Sequence, residues 1–127
     1  MNTAKIMIVE DEVITAMALK QSLENQGYEV CPLITSGKEA IDTAVSEKPD
    51  IVLMDINILG EMDGIETAKA IVSLFGIPTV FMTGYDENDV REKIKHVTSA
   101  GYLVKPLNFT KVTSTIDAIL HRKQNPG

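Results

Sequence analysis

One cysteine stands among 127 residues, so no disulfide can form within the chain. Cys31 lies inside an apolar run and reads as a buried, inert thiol of a reducing compartment. An excess of positive charge is also missing: 12 Lys and Arg stand against 18 Asp and Glu, a net charge of −6. Binding to nucleic-acid phosphates rests on clustered cations. Here the cations are scattered, and the short run His121-Arg122-Lys123 reads as a solvated helix end. Direct nucleic-acid binding is therefore not expected. No run approaches the ~20 apolar residues of a membrane span. The segment Met1-Asn2-Thr3-Ala4-Lys5 lacks the charged and apolar regions of a secretory signal. The expectation is a cytoplasmic protein without membrane contact. Repeats and low-complexity segments are absent too.

What is present is a balance of 44% apolar and 24% charged residues, ordinary for a globular domain. Short apolar runs alternate with longer amphipathic ones, five times. The apolar runs are Lys5-Ile6-Met7-Ile8-Val9, then Tyr28 through Ile34, Ile51-Val52-Leu53-Met54, Pro78-Thr79-Val80-Phe81-Met82, and Gly101-Tyr102-Leu103-Val104. Nearly continuous apolar character suits strands buried on both faces. Pro32 cannot serve a ladder on both sides and puts the second strand at a sheet edge.

Helices are predicted after each strand. The first runs to about Gln26 on Ala16, Leu19 and Leu23, with Gly27 as its stop. The second opens on a capping box, Ser36 and Glu39, uses Ala40, Ile41, Ala44 and Val45, and ends before Pro49. The third spans about Gly64 to Phe75, with Asp63 as cap. The fourth, about Glu87 to Val97, carries a thin apolar stripe and should pack weakly. The last spans about Phe109 to Leu120, burying Val112, Ile116, Ile119 and Leu120. Five βα units with an edge second strand predict an α/β, flavodoxin-like (βα)5 doubly wound parallel sheet, strand order 2-1-3-4-5.

The residues that end the strands carry the chemistry. Glu10 and Asp11 end the first, Asp55 the third, Thr83 the fourth and Lys105 the fifth. In such a sheet the carboxyl ends lie together at the switch point where ligands bind. Clustered carboxylates repel and need a cation. With oxygen ligands only, a hard ion is implied, and Mg²⁺ suits few carboxylates with retained waters; Mn²⁺ is a plausible substitute. A lysine and a hydroxyl beside them suit phosphoryl transfer, with a carboxylate as nucleophile. Asp55, at the centre, is the best placed acceptor.

These pieces resemble the response-regulator receiver domain (CheY-like) of two-component signal transduction. The match runs through Ile6-Met7-Ile8-Val9-Glu10-Asp11-Glu12, Val52-Leu53-Met54-Asp55-Ile56-Asn57, Met62-Asp63-Gly64, Met82-Thr83-Gly84 and Gly101-Tyr102-Leu103-Val104-Lys105-Pro106. Each alone is weak; five in order, at strand ends, are specific. The resemblance implies that Asp55 is the phosphoacceptor. It implies that Asp11 holds Mg²⁺ directly, Glu10 mostly through water, and Asn57 through its main-chain carbonyl. Thr83 would bond the phosphoryl group and shift on activation, Lys105 would contact phosphate, and Tyr102 would turn inward as the aromatic switch. The Lys105–Pro106 bond would be cis. The receiver would take 1–122, with 123–127 a tail or the start of a linker.

The partners so implied are a histidine kinase or phosphotransfer protein, and a downstream effector or fused output domain. Homodimerisation through the face of the fourth helix, fifth strand and last helix is a habit of the family. The protein is expected to be a switch that assists its own phosphorylation and slow dephosphorylation, rather than an enzyme with an external substrate. Two departures stand out. The loop after Asp55, Asn57 through Gly64, lacks the usual proline and is one residue longer. Tyr85, two residues past Thr83, is bulky, and the resemblance implies that such a residue can shield an acyl phosphate from water and slow its loss. Three other readings compete. A haloacid-dehalogenase-type phosphatase would place its nucleophile at the first strand. A flavodoxin-like FMN binder would need a phosphate-cradling loop where acidic Glu10-Asp11-Glu12 stands. A degenerate receiver would lack part of the acidic set.

Overall fold

In the computed structural model, residues 4–58, 60, 62–84, 92 and 101–124 are described. Strands β1 (Lys5–Val9), β2 (Glu29–Val30), β3 (Ile51–Asp55), β4 (Thr79–Thr83) and β5 (Gly101–Val104) form one sheet in the order β2-β1-β3-β4-β5. All pairings are parallel. Among the described residues, four helices connect or follow them: α1 (Val13–Asn25), α2 (Gly37–Glu47), α3 (Gly64–Phe75) and α4 (Phe109–Gln124). The helix expected over about Glu87 to Val97 lies outside the described residues. No helix among those described is long and apolar enough to cross a membrane.

Alternation along the central strands divides the core in two. Met7, Val9, Val52, Met54 and Phe81 point to one face and pack with Ala40, Ala44, Ala68 and Ile71 of α2 and α3. Ile6, Ile8, Ile51, Leu53, Val80 and Met82 point to the other and pack with Leu19, Leu23, Val112 and Ile116 of α1 and α4. Both faces are thus dry, which is why the strands read as continuous apolar runs.

The second strand is shorter than its apolar run. The regular ladder holds only at Glu29 and Val30, yet the chain stays beside β1 past Pro32, with an isolated bridge from Val9 to Ile34. Ile34 N–H donates to Ile8 O at 3.2 Å, and Glu10 N–H donates to Ile34 O at 2.9 Å. Cys31 N–H donates to Ile6 O at 2.9 Å, so the nitrogen of Pro32 falls on the side away from β1, where an edge strand needs no donor.

Helix ends follow the expected residues with some changes. Glu39 N–H donates to Ser36 Oγ at 3.3 Å, and the Glu39 carboxylate accepts from the Ser36 and Thr35 hydroxyls. Glu66 N–H donates to Asp63 Oδ1 at 2.8 Å, closing the cap of α3. Lys48 ends α2 in the left-handed region, φ 48°, a position that favours glycine. Val45 was expected on the buried stripe but is exposed. The last helix continues past Leu120 to Gln124, into the segment expected as tail.

Candidate functional site

Register brings the strand ends to one level. Val9 pairs with Met54, so Glu10 follows on beside Asp55; Asp55 pairs with Met82, and Thr83 with Val104. Lys105 comes next, its N–H donating to Thr83 O at 2.7 Å, and its bond to Pro106 is cis. Glu10 is wholly buried, and Asp55 and Thr83 are nearly so. Asp11 is half-buried.

Lys105 bridges two of the acids. Its Nζ donates to Glu10 Oε1 at 2.9 Å and to Asp55 Oδ2 at 3.4 Å. Asn57 N–H donates to Asp55 Oδ1 at 3.0 Å, fixing the other end of that carboxylate. Carboxylate oxygens of Glu10, Asp11 and Asp55, one from each, all lie within 4.8 Å of one another. Glu10 Oε2 is buried with no hydrogen-bond partner among the described residues.

The electrostatics reflect this crowding. Burial, above all, and then the adjoining Asp55 carboxylate push the Glu10 carboxyl up to about 8, against the opposing pull of Lys105. Burial alone would lower Lys105, but the hydrogen bond to Glu10 and the charges of Asp55 and Glu10 outweigh it and raise the ammonium above its usual value. Three carboxylates and one ammonium, with a buried carboxylate oxygen left over, make a site deficient in positive charge. All its donors are hard oxygens, so the residues fit a hard divalent cation.

The expected residues do not all meet here. Glu10, Asp11, Asp55 and Lys105 come together, Thr83 ends the strand beside them, and Asn57 is tied to Asp55. Tyr102 lies on β5 and is 42% exposed. Tyr85 lies outside the described residues. The long loop after Asp55 is anchored by two apolar side chains, Ile56 and Ile58, both buried in the α2–α3 core. Sequence reasoning passed over Ile58, although its apolar character two residues before a glycine was a visible signal.

An aspartate-centred acidic cluster, at the switch point of a flavodoxin-like sheet in the order 2-1-3-4-5, defines the class of CheY-like receiver domains. The comparisons agree. The family profile of the response regulator receiver domain matches residues 6–117, and the chain belongs to that family. It is 32% identical over 118 residues to the transcriptional regulatory protein PdtaR of Mycobacterium tuberculosis, covering 93% of this chain and 57% of that one. It thus spans little more than half of that relative. It is 30% identical over 126 residues to sporulation initiation phosphotransferase F of Bacillus subtilis, covering 98% of this chain and all of the other. Among solved structures, a signal receiver domain of a modulated diguanylate cyclase from Desulfovibrio desulfuricans superposes with a TM-score of 0.92 at 32% identity, over 99% of this chain and 100% of that one. A CheY-like receiver domain protein from Methanospirillum hungatei gives 0.91 at 25% identity, again over 99% and 100%.

Proposed function

We propose that residues 1–122 form a cytoplasmic phosphorelay switch in which Asp55 accepts the phosphoryl group of a histidine kinase or phosphotransfer protein. The observation that carries this reading is Lys105 bridging Glu10 and Asp55 inside a three-carboxylate cluster. A carboxylate oxygen of Asp55 attacks phosphorus and an O–P bond forms. The P–N bond of the donor phosphohistidine breaks, its electron pair returns to the imidazole, and that nitrogen is free to take a proton from solvent. Asn57 N–H holds Asp55 in one orientation for in-line attack. Lys105 faces the attacking carboxylate and meets the incoming phosphoryl oxygens as a point charge. Thr83 supplies a hydroxyl at the adjacent strand end. Glu10, Asp11, Asp55 and the Asn57 carbonyl would hold Mg²⁺, which when bound neutralises charge on the transferring oxygens.

The readout is a population shift in the surface around β5. Tyr102 and Val104 are exposed on that strand, and inward rotation of Tyr102 on phosphorylation would change what a partner meets. An effector or output domain, or a second copy of the receiver, would bind there. Mass spectrometry after incubation with acetyl phosphate and Mg²⁺ tests the reading. A phosphoryl adduct is expected on the native chain and absent from Asp55→Ala. An adduct that survives Asp55→Ala, or none on either chain, overturns it.

A further inference from the structure

We propose that Gly64 is a positioning residue for Asp55, required because any side chain there would displace the peptide that carries the acceptor. The inference rests on Asp55 being the phosphoacceptor. Gly64 opens α3 and donates its N–H to Ile56 O at 3.1 Å. A Cβ built on it would lie 2.1 Å from Asp55 O, 2.8 Å from Ile56 Cα and 2.9 Å from Asp55 C. All three obstacles are backbone, so no flexible side chain can give way.

The same peptide is gripped from its other side, where Ile56 N–H donates to Met82 O at 3.1 Å. One residue on, Asn57 N–H sets the Asp55 carboxylate. The first turn of α3 and strand β4 therefore clamp the Asp55–Ile56 peptide between them, and the carboxylate hangs from that clamp. Gly37, at the start of α2, is an instructive contrast. A Cβ there would meet Thr67 Oγ1 at 2.2 Å, then Met62 Cβ and O beyond 3 Å. Its closest obstacle is a side chain, and none belongs to the acceptor peptide.

A methyl group on Gly64 has to open the 2.1 Å approach to at least 3.0 Å. Misplacement of a reacting group by ~1 Å costs on the order of a hundredfold in rate. The test compares the rate constant of phosphoryl uptake from acetyl phosphate at saturating Mg²⁺, well below each variant's melting temperature. Gly64→Ala is expected to lose roughly tenfold to a hundredfold, and to shift the Asn57 amide resonance. Gly37→Ala is expected to lose stability while keeping its rate within about twofold and its Asn57 amide unmoved.

A native rate in folded Gly64→Ala, or an equal loss in Gly37→Ala, overturns the positioning role. Absence of an Asp55-dependent adduct on the native chain overturns the phosphoacceptor reading and this inference with it. If Gly64→Ala melts below the assay temperature, Asp63→Ala takes its place. It removes the cap bond to Glu66 N–H and loosens the same turn without adding an atom. A fall in the rate and a shift of the Asn57 amide resonance are then expected, and an unchanged rate overturns the role.

Discussion

Replacing Glu10 by Gln tests the electrostatics of the site before any phosphodonor is involved. Without metal, the Glu10 carboxyl is raised from 4.5 to about 8, chiefly by burial. The folded protein thus keeps a proton on this group that the unfolded chain releases near pH 4.5. Between those two values the folded state binds more protons than the unfolded one, so stability falls as pH rises. The contribution is whole below pH 4.5 and is lost progressively up to about pH 8. At about 1.4 kcal/mol per pH unit, the loss between pH 5 and 8 is about 3 kcal/mol. That is a large share of the 5–15 kcal/mol that holds a typical domain together. Lys105, raised above its usual value, adds stability below its unfolded pKa near 10.5 and is constant across this window.

Urea denaturation in EDTA at pH 5, 6, 7 and 8 should therefore show the native chain losing about 3 kcal/mol more than Glu10→Gln over the range. Titrating groups away from Glu10 are common to both chains and cancel in the difference, which leaves Glu10 together with Asp55 and Lys105, the two groups coupled to it. Repeating the series with saturating Mg²⁺ should flatten the native curve, because a bound cation favours the ionised carboxylate. Parallel curves for the two proteins in EDTA would refute the reasoning, since they would mean that Glu10 is as readily ionised in the fold as in the unfolded chain.

Other substitutions probe the frame around the site. Lys105→Met leaves Glu10 and Asp55 facing each other without their shared ammonium. The ammonium is a quarter exposed, so the cost is moderated to about 1–2 kcal/mol at pH 7, while phosphoryl uptake should fall on the order of a hundredfold; urea melts and mass spectrometry read the two. Lys48→Gly relieves a left-handed residue at the end of α2 and should stabilise by about 0.5–1 kcal/mol in thermal melts. Phe81→Ala, at a wholly buried position of β4, should cost about 3–5 kcal/mol by urea titration.

The topology was legible because each central strand had to be apolar on both faces, and few arrangements satisfy five such strands. The edge position of β2 followed from Pro32 alone. What escaped was local. Lys48 takes a conformation that its residue type disfavours, held because the chain must turn between α2 and the buried Pro49. Val45 sits one residue past buried Ala44, on the flank of the α2 stripe, and spacing alone cannot say which flank the neighbouring helix covers. The last helix runs on past its final core residue because no glycine or proline stops it before Pro126.

The acidic cluster was legible for a different reason: it depends on register, and register follows from which residue ends each apolar run. Glu10, Asp55, Thr83 and Lys105 each stand at such an end, so shifting any strand by one residue would have turned its core side chains to the opposite face. Core packing and site assembly are therefore the same constraint seen at two places. The sequence could not show how that constraint is enforced at Asp55 itself. There the tolerance is set by the absence of a side chain at Gly64, nine residues on, against backbone atoms that no pattern of apolar residues records. In this chain Ile56 and Ile58 anchor the loop between these two positions from within, and the helix after it begins flush against the Asp55–Ile56 peptide.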